Sequence, residues 1–123
     1  MKTKFKNILI GIAFLLSAFI FAEQTSKKVY VVPIQDVIDL GIPGLVSRAI
    51  DLAETNNASL IIFDIDTFGG RVDAATQIKD SISSTEIETV AFINRRAISA
   101  GSLISLSCDC LLYTSPSPRD LSS

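Results

Sequence analysis

Asp66-Thr67-Phe68-Gly69-Gly70 closes one apolar run and Ala97-Ile98-Ser99-Ala100-Gly101 closes the next, with Gly69 and Ser99 thirty positions apart. Glycines at a strand end can turn backbone N–H groups toward a developing negative charge, and a serine at the mouth of the following helix can attack a carbonyl. Together they outline a nucleophile with its oxyanion hole. The 123-residue chain contains no histidine. That excludes a Ser-His-Asp triad, so the serine needs a lysine or another base to take its proton.

Each motif also has a plainer reading. A glycine pair after a strand often only forms a turn. Serine is a common helix N-cap, and Ser-Ala-Gly opens a helix well. What distinguishes the two motifs is their conjunction, each at the C-terminal end of a consecutive strand, the edge where parallel α/β sheets hold their sites. If those strands are neighbours, the glycine N–H groups and the Ser99 hydroxyl face the same carbonyl. A helix beginning at Ser99 adds its positive end and the N–H of Ala100.

The elements that must position these groups are legible around them. Residues 28–34 are β-rich and end near Pro33. Val46, Ala49, Ile50 and Ala53 recur at helical spacing after Pro43, with Arg48, Asp51 and Glu54 on the other side, so a helix runs to about Asn56. Residues 59–64 form a continuous apolar run, as expected for a strand covered on both faces of a parallel sheet. Val72, Ala75, Ile78 and Ile82 mark a second helix, residues 88–93 a third strand, and Ser99 opens a third helical stretch to about Cys108. The order β-α-β-α-β-α predicts an α/β domain with parallel strands. Three strands leave an open edge and an uncovered face, so the chain reads as the first part of a larger domain and is expected to be marginal and prone to association.

Both ends stand apart from this pattern. Lys2, Lys4 and Lys6 precede an apolar run over residues 8–21 interrupted only by Gly11 and Ser17, and Ala22 is small. Residues 1–22 therefore read as a signal peptide cleaved after Ala22. An uncleaved membrane anchor is the alternative, since Ile20 is large for its place near the scissile bond, but the run is short for a spanning helix. From Cys110 the chain reads CLLYTSPSPRDLSS, without helical or strand period. Residues 110–120 resemble the conceptual translation of a transposase sequencing adapter, so residues 110–123 are expected to be an artefact tail and 23–109 the native segment.

Residues 23–109 carry seven basic against twelve acidic side chains, a net charge of −5. Such a domain repels a phosphate backbone, and it has no basic stripe with interleaved aromatics, so nucleic acid is excluded as a partner. Cys108 and Cys110 are too close for an ordinary structural disulfide, and no zinc spacing exists. Asp64 and Asp66 share one strand face, but no third ligand accompanies them and no metal is expected. Lys79, flanked by Ile78 and Asp80, reads as a solvated surface lysine rather than a base. Arg95 and Arg96 stay charged at neutral pH and cannot act as one, so they line a groove or pair with carboxylates.

Asp66-Thr67-Phe68-Gly69-Gly70, followed by the run from Asn94 through Ala97-Ile98-Ser99-Ala100-Gly101 to Ile104, resembles the N-terminal protease domain of NfeD family proteins, the membrane-bound ClpP-class serine proteases. The resemblance covers residues 29–109 and implies a ClpP/crotonase-like fold, N-terminal part only. It implies Ser99 as nucleophile, with an oxyanion hole from the backbone of Gly69, with Gly70 shaping the turn, and from the N–H of Ala100. The base of such enzymes is a lysine roughly forty residues after the serine, in a Ser-Lys dyad. That position falls beyond Ser123, so the 123 residues by themselves are expected to be inactive. Family members commonly carry proline where this chain has Phe68, which leaves φ free and adds bulk beside a substrate groove.

The resemblance further implies an extracytoplasmic, membrane-anchored endopeptidase without a cofactor, acting on hydrophobic peptide segments and homo-oligomeric when full length. A non-catalytic membrane scaffold partnering a stomatin-like protein is the alternative. An acyl-CoA enzyme of the crotonase type is disfavoured by the signal peptide.

Overall fold

In the computed structural model, which describes residues 1–19 and 26–114, the chain runs α1 (Lys2–Phe19), β1 (Val29–Ile38), α2 (Ile42–Thr55), β2 (Leu60–Gly70), α3 (Val72–Ser84), β3 (Thr89–Ala97), α4 (Ala100–Ser105) and β4 (Cys110–Tyr113). The strands form one parallel sheet in the order β1-β2-β3-β4. Helices connect successive parallel strands, as parallel pairing demands. Among the described residues no helix is long and apolar enough to cross a membrane. The expected cleavage site after Ala22 lies outside the described residues.

The helical periodicities become one buried layer. Val46, Ile50 and Ala53 of α2, Ala75, Ile78 and Ile82 of α3, and Ala100 and Ile104 of α4 share a core with Val32, Ile34 and Ile38 of β1 and Ile61, Phe63 and Ile65 of β2. Burying each of the large members stabilises the fold by about 1.5–3 kcal/mol. The opposite sheet face is only partly covered. Ile62 and Asp64 are half-buried and Val31 is exposed, so the expectation that β2 is covered on both faces holds for one face alone.

Two differences from the sequence pattern shape the site. The strands run further than their apolar cores, so Gly69 and Gly70 lie within β2 and pair with Val37 and Ile38. They end a ladder rather than forming a separate turn. Bulges at the same level, between Gln35 and Val37 of β1 and between Ile65 and Thr67 of β2, bend the strand tips. A fourth strand also stands where three were expected, with Cys110–Tyr113 paired to Val90–Ile93. Its backbone completes a ladder edge, while all four of its side chains remain exposed.

Candidate active site

Ser99 sits between the end of β3 and the first residue of α4, exposed, with φ 54° and ψ −116°. A residue with a Cβ pays about 1–3 kcal/mol for such a backbone, and it persists only where neighbours over-determine it. Those neighbours are identifiable. Ile98 N–H donates to Thr67 O at 3.1 Å, Gly101 N–H to Ile98 O at 3.0 Å and Ser102 N–H to Ser99 O at 2.9 Å. The Ser102 hydroxyl donates back to Ala97 O at 2.6 Å.

The sharp bend from strand to helix packs Gly101 against Thr67 of β2, so position 101 must be small. A Cβ on Gly101 would lie 3.6 Å from the Ala97 Cβ and 2.5 Å from Thr67 Cγ2. The glycine at position 101 is the sequence trace of that close approach.

Gly69 reaches this bend directly. With φ 106° it occupies a region that disfavours L side chains, and a Cβ there would lie 2.8 Å from Ile98 O, 2.9 Å from Ser99 Cβ and 3.2 Å from Ala100 N. Gly70 is needed for another reason, since its Cβ would meet Ile38 O of β1 at 2.2 Å. β2 and β3 are adjacent and parallel, so Gly69, Gly70, Ser99 and Ala100 converge at one sheet edge.

The two glycines differ in what their N–H groups do. Gly69 N–H donates to Thr67 Oγ1 at 2.9 Å. Arg71 N–H donates to Ile38 O at 2.8 Å, and successive N–H groups of an extended strand point to opposite edges, so the Gly70 N–H faces away from β1. α4 has six residues, too short for a large dipole, and what it offers is the N–H of Ala100 in its orphan first turn.

The charged residues nearby are mostly paired. Arg96 Nε donates to Asp66 Oδ1 at 2.9 Å and its guanidinium carbon stands 4.1 Å from the centroid of the Phe68 ring. Arg71 forms a bidentate pair with Asp73, at 3.0 and 2.7 Å, on the surface at the start of α3. That pair raises the Arg71 pKa and lowers that of Asp73. Lys79 lies along α3 paired with Asp80 at 2.8 Å. Gln35 Nε2 donates to Asp64 Oδ2 at 3.4 Å, while Asp64 Oδ1 is buried with no partner among the described residues. Among these residues no cluster of three or more His, Cys, Asp or Glu that could hold a metal ion is found.

Comparison with known proteins places this geometry in a family. The family model for NfeD1b, N-terminal domain, matches residues 28–119. The chain is 37% identical over 115 residues to the membrane protein NfeD1b of Bacillus subtilis, covering 91% of this chain and 26% of that protein. It is 36% identical over 105 residues to the membrane-bound protease PH1510 of Pyrococcus horikoshii, covering 82% of this chain and 23% of that protein. The chain thus spans about a quarter of the length of these relatives.

Among solved structures it is similar to 1510-N, the membrane protease specific for a stomatin homolog from Pyrococcus horikoshii, with TM-score 0.67 at 32% identity over 72% of this chain and 46% of that one. A lysine-to-alanine variant of 1510-N in complex with a substrate peptide matches with TM-score 0.67 at 30% identity, over 72% of this chain and 42% of that one. ClpP1 of Listeria monocytogenes matches with TM-score 0.61 at 22% identity, over 72% of this chain and 58% of that one, a likeness of fold. With a ClpP-like α/β fold and a family match over most of its length, this chain belongs to the NfeD1b N-terminal domain family.

Proposed function

We propose that the chain forms the nucleophile half of a membrane-associated serine peptidase in which Ser99 attacks the scissile carbonyl. The observation that carries this reading is the strained backbone of Ser99 held against Gly69. Strain at an exposed serine, locked from two strands, serves to present its hydroxyl. Ser99 Oγ bonds to the carbonyl carbon as its proton passes to a lysine amine. The negative charge collects on the carbonyl oxygen, where the N–H groups of Gly70 and Ala100 receive it. The lysine then protonates the leaving amine as the C–N bond breaks, and water releases the acyl-enzyme.

The lysine belongs to sequence following this segment, since Lys79 is engaged on the surface of α3. The substrate class is a hydrophobic peptide segment of a stomatin-like membrane protein, supported by the relative specific for a stomatin homolog. A cleaved leader at residues 1–22, as the basic start and apolar run suggest, supports an extracytoplasmic position for the domain. The test is cleavage of casein and of apolar peptides by the full-length gene product beside Ser99→Ala. Loss of turnover in the variant is expected. Equal turnover removes Ser99 from the chemistry and leaves the scaffold reading, a non-catalytic partner of a stomatin-like protein.

A further inference from the structure

Thr67 lies at the junction of the two bulges and the serine bend, and it is 1% exposed. Its hydroxyl donates to Asp36 O of the β1 bulge and accepts the Gly69 N–H at 2.9 Å. Gly69 O lies 3.4 Å from the same oxygen. Its backbone carbonyl accepts Ile98 N–H at 3.1 Å, and its Cγ2 fills the space that any side chain on Gly101 would need. One residue thus touches the β1 bulge, the glycine pair, the approach to Ser99 and the first turn of α4.

A buried threonine in a strand is ordinarily just a β-branched residue that fits the pleat. Here its hydroxyl is committed on both sides. Asp36 adopts φ 62°, a left-handed conformation that aspartate tolerates at a cost, and it directs its carbonyl at Thr67. If the Thr67 hydroxyl were absent, the buried Gly69 N–H would lose its partner, and so would the part-buried Asp36 carbonyl. Gly69, at φ 106°, would lose its side-chain tether to β1.

We infer that the Thr67 hydroxyl is a positioning group for the oxyanion hole: by occupying the Gly69 N–H and tethering it to the β1 bulge, it holds the next N–H, that of Gly70, in register with Ala100 and Ser99. This deepens the peptidase reading and rests on it. Thr67 does not touch substrate. Its effect falls on the step in which negative charge develops, where a displacement of about 1 Å costs on the order of a hundredfold.

The experiment uses the full-length gene product with four variants, Thr67→Val, Thr67→Ser, Thr67→Ala and Ser99→Ala. Thr67→Val keeps the volume beside Gly101 and removes the hydroxyl, whereas Thr67→Ser keeps the hydroxyl and removes the methyl. The expected result for Thr67→Val is a fall in kcat of at least about tenfold with KM changed less than about twofold, and a matching loss of affinity for a peptide boronate that mimics the tetrahedral adduct. Thr67→Ser restores kcat to within about threefold of the native enzyme. A merely structural role would instead follow the melting temperature and leave the boronate and the uncleaved peptide equally weakened. If Thr67→Val does not fold, Thr67→Ser against Thr67→Ala reads the hydroxyl at smaller volume.

Native kcat in Thr67→Val, or equal damage in Thr67→Ser and Thr67→Val, overturns the inference while Ser99→Ala stays inactive and the peptidase reading stands. Full turnover in Ser99→Ala overturns both.

Discussion

A Cβ placed on Gly69 would stand 2.9 Å from the Cβ of Ser99. The glycine strand tip and the serine bend are thus in backbone contact, and the obstacles around Gly69 belong to the bend itself, Ile98 O at 2.8 Å and Ala100 N at 3.2 Å. Gly69→Ala must displace Ser99 or Gly69, and at φ 106° it also carries about 1–3 kcal/mol of backbone strain. Gly70→Ala meets the β1 backbone instead, at 2.2 Å from Ile38 O, and must open the sheet. Thermal unfolding is expected to rank Gly70→Ala below Gly69→Ala, both below the native chain. Equal melting temperatures in all three would show that the strand tips yield without cost.

Ser99 offers the complementary case, a position where a substitution relieves strain. Its φ of 54° and ψ of −116° suit glycine better than any residue with a Cβ. Ser99→Gly is expected to raise stability by about 1 kcal/mol while abolishing serine chemistry, whereas Ser99→Ala retains the strain and changes stability by less than about 0.5 kcal/mol. Denaturant midpoints of the two variants check this. A Ser99→Gly variant no more stable than Ser99→Ala would mean that the bend is relaxed.

The alternation of strands and helices was legible because Val46, Ile50 and Ala53, or Ala75, Ile78 and Ile82, repeat at 3.6-residue spacing and bury one face. The convergence of Gly69 with Ser99 was legible because sequential strands in such folds lie side by side. Local pattern did not carry the extension of β1 past Pro33 and Asp36 or of β2 through Gly70. Those residues are poor strand formers, and their conformation is imposed by pairing with a neighbouring strand tip. Thr67 was invisible for a related reason. A threonine in a strand has nothing to distinguish it until the Asp36 carbonyl and the Gly69 N–H, thirty-one and two residues away, are folded onto its hydroxyl.

Phe68 is exposed, yet its ring lies under the Arg96 guanidinium at 4.1 Å while Arg96 also holds Asp66 at 2.9 Å. Planar stacking and a directed hydrogen bond are both arginine properties, so Arg96→Lys should lose the stack and keep only part of the pairing. A double-mutant cycle of Phe68→Ala with Arg96→Met is expected to give a coupling of about 0.5–1 kcal/mol. The companion cycle with Asp66→Asn should shrink in high salt, because that contact is ionic and partly solvated. No coupling between Phe68 and Arg96 would reduce the stack to incidental proximity.

In β4, Leu111, Leu112 and Tyr113 are 45%, 52% and 60% exposed. A strand beside β3 in a sheet with a helical layer is expected to bury alternate side chains, and this one buries none. The strand is held by its backbone ladder to β3 and, just after it, by the Thr114 hydroxyl donating to Ile93 O at 3.2 Å; the adapter-derived origin of residues 110–123 is a proposal from the sequence resemblance alone. Reading the gene from genomic DNA past the codon for Asp109 is expected to yield a different sequence with alternating apolar positions. Finding the same fourteen codons there would make the tail native and its exposed face a feature to explain.

Cys108 and Cys110 are two residues apart but differ in environment, and the difference sets their chemistry. Cys108 packs against the core and burial pushes its thiol up to about 11, with the Asp109 carboxylate adding to the rise and a Thr89 hydrogen bond opposing it. Cys110 is exposed. At pH 8 only about 0.1% of Cys108 is thiolate, and its sulfur is partly buried as well. Iodoacetamide followed by peptide mass mapping should therefore modify Cys110 well before Cys108. The same shift has a sign for stability: the fold favours the neutral thiol, so its contribution is constant below the unfolded pKa and is lost as pH rises from about 9 toward 11. Cys108→Ala is expected to flatten that alkaline decline in the unfolding free energy, and an unchanged decline would assign it to other groups.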